Sequence, residues 1–229
     1  MTTLLSLENV SMHYPMHGKG GAAEHVVFEN VSLALAAGER LGIVGRNGSG
    51  KSTLLRLMAK IFTPTSGSVT WAPGATVSLL SLGLGFRPDL TGRENALLSC
   101  LLQGLSKADA KSSLSEIEDF AELGEFFNQP VKAYSTGMRA RLGFASALMN
   151  RSDVILIDEV LSVGDQQFRL KARDALMDQL TEDRGVVVVS HAEEHIKGLC
   201  SCATWLNEKT LAKPSGIDQA LQDCKNLTS

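Results

Sequence analysis

Residues 45–52 read Gly45-Arg46-Asn47-Gly48-Ser49-Gly50-Lys51-Ser52 and satisfy every fixed position of a phosphate-binding P-loop. No other stretch constrains the fold as much, because such a loop works only between a buried strand and a helix. Both neighbours are present. Leu41-Gly42-Ile43-Val44 is a short apolar strand that runs straight into the glycines. From Lys51, the residues Leu54, Leu55, Leu57, Met58 and Ile61 repeat at helical spacing, a face expected to point inward, until Thr63-Pro64 stops the helix. The glycines let backbone N–H groups wrap a phosphate, and the helix start adds free N–H groups and the positive end of its dipole. Lys51 is placed to reach β and γ oxygens and the Ser52 hydroxyl to ligate Mg²⁺. Thr53 follows in the first helical turn and completes the candidate contacts.

Two more apolar runs extend the same logic. Val154-Ile155-Leu156-Ile157 leads into Asp158-Glu159, and Val186-Val187-Val188-Val189 leads into Ser190-His191. Helical stretches, Gln166–Leu180 and a short one from Ala192, follow these strands. Continuous apolar strands alternating with helices predict a mostly parallel sheet covered on both faces. Ligands of such sheets bind at the carboxyl ends of the strands. If the three strands lie side by side, their polar ends share one crevice. Asp158 then holds Mg²⁺, Glu159 accepts a proton from an attacking water, and His191 hydrogen-bonds the γ-phosphate region.

Ahead of the P-loop the chain reads as strands and turns. Leu5, Leu7 and Val10 predict a strand before Tyr14-Pro15, residues 17–24 a glycine-rich loop, and Val26–Leu35 a second strand ended by Ala37-Gly38. An exposed Tyr14 has the ring to stack an adenine. The middle, about residues 91–150, is helical. Thr91-Gly92-Arg93-Glu94 has capping-box spacing before Leu97, Leu98, Leu101 and Leu102. A second helix carries Leu114, Ile117, Phe120 and Ala121 on one face and is expected to end at Gly124. A third begins after Gly137, with Met138, Leu142, Ala145 and Met149 at helical spacing. Small residues, Ser135-Thr136-Gly137, open it, which makes it a second candidate anion site. Two phosphate-reading helix starts point away from a simple kinase or G protein. The fold class expected is α/β: a P-loop NTPase with a mostly parallel core sheet, an N-terminal antiparallel β part and an inserted helical lobe, all one domain over residues 1–229.

Composition narrows the partners. The net charge is −3 and the basic residues form no long block, so no nucleic-acid partner is expected. No apolar run reaches the ~20 residues needed to cross a bilayer. The N-terminus lacks the basic start and apolar core of a signal peptide. Cys100, Cys200, Cys202 and Cys224 have no metal-site spacing and are expected to be reduced structural thiols.

The P-loop, Ser135-Thr136-Gly137-Met138-Arg139 and Ile155-Leu156-Ile157-Asp158-Glu159, in that order, resemble the ATPase domain of ABC transporters. Ser135–Arg139 is similar to the signature motif, with Thr136 where a glycine is usual. Ser162-Val163-Gly164-Asp165 resembles the loop after the Walker B strand, His191 the switch histidine, and Tyr14 the adenine-stacking aromatic. The resemblance implies a homodimer paired head to tail with ATP between the chains. Ser135 and the backbone around Gly137 then bind the partner's γ-phosphate, and closure drives a separate membrane permease. It also implies a peripheral location on the cytoplasmic face of the inner membrane.

A narrower likeness lies in Tyr134–Leu142, Asp158–Asp165 and Leu90-Thr91-Gly92-Arg93-Glu94-Asn95, which resemble the polysaccharide-export branch. Because the chain ends at Ser229, it is similar to the short capsule-export type, without the carbohydrate-binding domain that some members carry. Exporters of O-antigen, teichoic acid or lipid, and a soluble ATPase acting on ribosomes or DNA, stand as alternatives. Most relatives place a glutamine after the strand that follows the P-loop helix. Here the segment reads Leu79-Leu80-Ser81-Leu82, and Ser81, shorter and a poorer ligand, is the nearest candidate.

Overall fold

The computed structural model describes residues 2–18, 21–80, 85–149, 152–158, 165–181, 183–190, 192–207 and 209–226. In chain order the strands are β1 (Thr3–Gly18), β2 (Gly21–Ala36), β3 (Arg40–Val44), β4 (Ser66–Trp71), β5 (Val77–Leu80), β6 (Val154–Asp158), β7 (Gly185–Val189), β8 (Cys202–Asn207) and β9 (Thr210–Leu211). The α-helices are α1 (Lys51–Met58), α2 (Gly92–Leu102), α3 (Lys107–Ser112), α4 (Leu114–Ala121), α5 (Thr136–Leu148), α6 (Gln166–Gln179), α7 (Glu193–Leu199) and α8 (Ile217–Asn226). The chain divides into two units: residues 1–77, 153–158 and 181–229 form the first, residues 78–152 and 159–180 the second.

The first unit holds two sheets. In one, β1 lies between β2 and β4, and both neighbours run antiparallel to it. Its pairing with β2 runs from Thr3↔Ala36 to Gly18↔Gly21. The glycine-rich loop expected over residues 17–24 is therefore mostly strand. Small residues weaken strand propensity, but the ladder from a long hairpin carries through them to the tip. The other sheet, within this unit, has the order β6-β7-β3-β8-β9, with β6, β7, β3 and β8 mutually parallel and β9 antiparallel at the edge. Leu41, Ile43 and Val186–Val189 are all buried, as apolar strands covered on both faces must be. The three strands read as buried sit side by side, β6-β7-β3, so their carboxyl ends lie together. β4, β8, β9 and α8 were not among the expected elements.

On α1, Leu54, Leu55, Leu57 and Met58 point into the core as expected, but Ile61 is 54% exposed. The helix ends at Met58, before the proline. Lys60 takes a left-handed turn (φ 60°), and Ile61 N–H donates back to Arg56 O at 2.9 Å, which carries Ile61 off the buried face.

The second unit is helical. Thr91 caps α2 with the reciprocal pair expected: its hydroxyl accepts from Glu94 N–H at 3.1 Å while the Glu94 carboxylate accepts from Thr91 N–H at 2.8 Å. The short α3, which was not expected, closes at Ser113, and the expected second helix is α4. It ends at Glu122 in the left-handed region (φ 54°) rather than at Gly124, which starts a 3₁₀ turn over Gly124–Asn128. Ile117, Ala121, Phe127, Leu142 and Ala145 share one buried cluster with Cys100 and Tyr134, and Met138 and Met149 pack against it. Gly92 is required there, since a Cβ would fall on the Tyr134 hydroxyl.

Candidate functional site

β3 delivers the chain into the P-loop at Val44. Two glycines show why side chains are excluded. A Cβ on Gly50 (φ 99°) would approach Val27 Cγ1 to 2.6 Å, and one on Gly45 would collide with the Leu206 carbonyl oxygen of β8. The loop is therefore clasped between the β1–β2 hairpin and the sheet. Gly48 also has a positive φ, 81°, with open space around it. Arg46 and Asn47 lie between these turns, and Arg46 O accepts from Ser49 N–H at 3.2 Å. α1 then starts with no side-chain cap and no acidic residue in its first turn, so its leading N–H groups face an anion unneutralised.

Lys51 is 5% exposed, and its ammonium donates to Gly45 O at 2.8 Å and Arg46 O at 2.7 Å. A charge this buried requires such partners. The Ser49 hydroxyl is buried in the loop with no hydrogen-bond partner among the described residues. A buried cation, an unpartnered buried hydroxyl and uncapped N–H groups are the chemistry a polyphosphate satisfies. Next in the chain, Ser52 Oγ donates to Asp158 Oδ1 at 3.1 Å. Residues 106 positions apart thus converge, a hydroxyl and a carboxylate suited to a hard divalent cation. Thr53 is half-buried in the same turn of α1.

Tyr14 lies in β1 opposite His25, half-buried, with its ring T-shaped against Phe62 at 6.3 Å between centroids. In the second unit, Ser135 caps α5, its Oγ accepting from Met138 N–H at 3.1 Å. That use leaves the hydroxyl proton for an outside acceptor, and Ser135 is exposed. Among the described residues a Cβ on Gly137 would meet only Ser135 Oγ, at an ordinary 3.8 Å, so their atoms do not demand glycine there. Glu159, His191, Ser81 and residues 162–164 lie outside the described residues.

Two features escaped the sequence reading. Ser190, buried at the end of β7, accepts from Ala192 N–H at 3.1 Å and bonds His195 Nδ1 at 3.0 Å. Arg141, two residues beyond the signature-like stretch, pairs with Asp165, reaches Glu122 at 3.4 Å and lies over the Phe168 ring at 5.0 Å. Asp165 also caps α6, and the Phe168 N–H that it accepts, then the Arg141 charge, hold its carboxyl below the usual carboxylate range. An Asp just before a helix is a readable cap; the Arg141 pairing is tertiary and has no local signal.

The parallel sheet, the clasped glycine loop and the Ser52–Asp158 pair define a P-loop nucleotide-binding protein. Residues 28–162 match the ABC transporter family model. The O-antigen export system ATP-binding protein RfbB of Klebsiella pneumoniae is 34% identical, with 97% of each chain covered. The Teichoic acids export ATP-binding protein TagH of Lactiplantibacillus plantarum is 44% identical over 78% of this chain and 49% of its own length. An RfbB of Myxococcus xanthus is 40% identical over 86% of this chain, which spans 46% of that relative. Among solved structures, a dimeric ATP-binding cassette in a post-hydrolysis state with ADP and Pi superposes with a TM-score of 0.78 at 25% identity, covering 93% of this chain and 99% of that one. The chain belongs to the ABC transporter family, and its activity is the ATP hydrolysis of that family's ATP-binding subunits. No helix among the described residues is long and apolar enough to cross a membrane.

Proposed function

We propose that this chain, acting as one cassette, is the ATP-hydrolysing subunit of a polysaccharide exporter. It works as a homodimer on a separate permease at the cytoplasmic face of the inner membrane. The names of its relatives support a glycan cargo, O-antigen or teichoic acid, and lend capsular polysaccharide no separate support. The observation that carries the catalytic half is the loop itself: a buried Lys51 ammonium held on two carbonyls beside the unpartnered Ser49 hydroxyl.

In this reading the uncapped N–H groups of α1 and the Ser49 hydroxyl bind the β- and γ-phosphates. Lys51 trades its two carbonyls for phosphate oxygens. Ser52 and Asp158 would hold Mg²⁺, which when bound would neutralise charge on the transferring group. Glu159 takes the proton of the attacking water, and His191 hydrogen-bonds the γ-phosphate. Tyr14 stacks the adenine. In the partner chain, Ser135 donates its free hydroxyl proton to the same γ-phosphate, and the bare Gly137 lets the backbone approach. The room left at Gly137 among the described residues is compatible with such an approach.

The test is Glu159→Gln, expected to slow hydrolysis by about 10²–10⁴-fold while ATP still binds. Near-normal turnover would remove Glu159 from its role. Copurification with a multi-spanning permease is expected; stable association with ribosomes or DNA instead would favour the soluble alternative.

A further inference from the structure

We propose that Phe62, which no motif marks, is a positioning residue for the base of the nucleotide, acting by holding the Tyr14 ring; this rests on the reading of Tyr14 as the adenine platform. The geometry begins at Gly50. Its Cα faces Val27 and Phe28 of β2, and Phe28 pairs with Met12 across the hairpin. Tyr14 lies two residues beyond Met12, roughly 7 Å further along the same strand. A half-buried tyrosine on the outer reach of a hairpin needs a backing surface to present a fixed ring face.

Phe62 supplies that backing. Its ring meets Tyr14 at 6.3 Å and 83°, the edge-to-face arrangement aromatic pairs prefer. The Arg56 guanidinium lies 5.9 Å from the centroid of the Phe62 ring. Phe62 is itself fixed to α1, since its N–H donates to Arg56 O at 3.3 Å just past the left-handed turn at Lys60. The segment that follows is stitched to the tyrosine's own strand: Thr65 N–H donates to Ser11 O at 2.9 Å, and His13 N–H donates to Thr65 Oγ1 at 2.9 Å. The end of the helix whose start binds phosphate is thereby joined to the strand that would bind the base. Arg56, Phe62 and Tyr14 set the distance between the two ends of one ligand.

Equilibrium binding of ATP and of inorganic tripolyphosphate to the full chain, with kcat measured in parallel, tests this. Phe62→Ala is expected to raise the Kd for ATP about 2- to 10-fold, the strength of one aromatic pair, with tripolyphosphate binding and kcat unchanged. Phe62→Tyr is expected to restore ATP affinity. In a Tyr14→Ala background, Phe62→Ala is expected to add nothing further. Weaker tripolyphosphate binding in Phe62→Ala would mean that it disturbs α1 and the loop, and would overturn the proposal. So would an unchanged Kd for ATP, or an equal loss in the Tyr14→Ala background. If Tyr14→Ala alone leaves the Kd for ATP unaltered, the adenine-platform reading fails and the proposal falls with it. If only Phe62→Ala is silent, the platform reading stands alone.

Discussion

Lys51 and Gly50 show how differently two neighbouring residues serve one loop. Lys51→Ala removes the buried cation, and we expect ATP binding in a filter assay to be lost while far-UV circular dichroism shows the fold retained. Gly50→Ala acts through shape: at φ 99° with Val27 Cγ1 at 2.6 Å the loop must move, and about 1–3 kcal/mol of stability should go with it, read by denaturant unfolding. The cysteines offer a third kind of residue-scale expectation. Burial, then the neighbouring Cys202, pushes the Cys200 thiol up to about 12; burial, then Glu39, pushes Cys202 up to about 11. Both stay protonated at neutral pH, so alkylation by iodoacetamide at pH 8 should be far slower in the folded chain than in denaturant. Because the folded-state values are raised, the linked stability is intact below the ordinary thiol range and falls as pH climbs towards 11–12. At this scale most of the nucleotide site was legible, because glycines, Lys51, Ser52 and Asp158 announce their chemistry by type and spacing. The Arg141–Asp165 contact was not, because nothing local fixes which polar side chains meet after the chain has folded; the Ser190–His195 contact spans five residues and was passed over because the strand end was read only for its neighbour.

At the scale of elements, α5 separates stability from function. Ser135 serves twice, as helix cap and as candidate phosphate donor, so Ser135→Ala should cost about 1 kcal/mol of stability and dim hydrolysis together. Gly137→Ala pulls the two apart. Its Cβ finds ordinary space within the chain, and alanine is the better helix former. We expect it to leave thermal unfolding unchanged or slightly raised while ATP-dependent association and turnover fall. Unimpaired turnover would mean that no partner's phosphate approaches Gly137. Elements of strong period were read well: β3, β6 and β7 from unbroken apolar runs, and α2 from its capping box. The failures share a cause. The hairpin ladder overrode glycine at the tip of β1 and β2, and the left-handed residues Lys60 and Glu122, neither a glycine, ended helices where composition suggested they would continue. β8 gave no clear pattern because its half-buried face mixes polar and apolar residues, whereas α8 carries Ile217, Ala220, Leu221 and Cys224 at helical spacing and was missed.

For the whole molecule, the proposed head-to-tail homodimer makes a demand that single variants do not test. A chain with Lys51→Ala loses its P-loop, and a chain with Ser135→Arg loses its signature. Each alone should be inactive. Mixed, they form a heterodimer in which one composite site has both defects and the other has none. Partial recovery of phosphate release on mixing is therefore expected, and no recovery would count against a shared site.

The register of the central sheet also bears on how this protein is born. Arg40 at the foot of β3 pairs with Val186 of β7, 146 positions later in the chain. At a synthesis rate of about 5–20 residues per second, the P-loop leaves the ribosome roughly 7–30 s before its supporting strand exists. Leu41–Val44 spends that interval as an unpaired apolar strand. The nucleotide site is thus among the last parts of the chain to take shape. Nucleotide cannot steady the nascent protein, and a chaperone that covers this one strand would act at the point of greatest exposure.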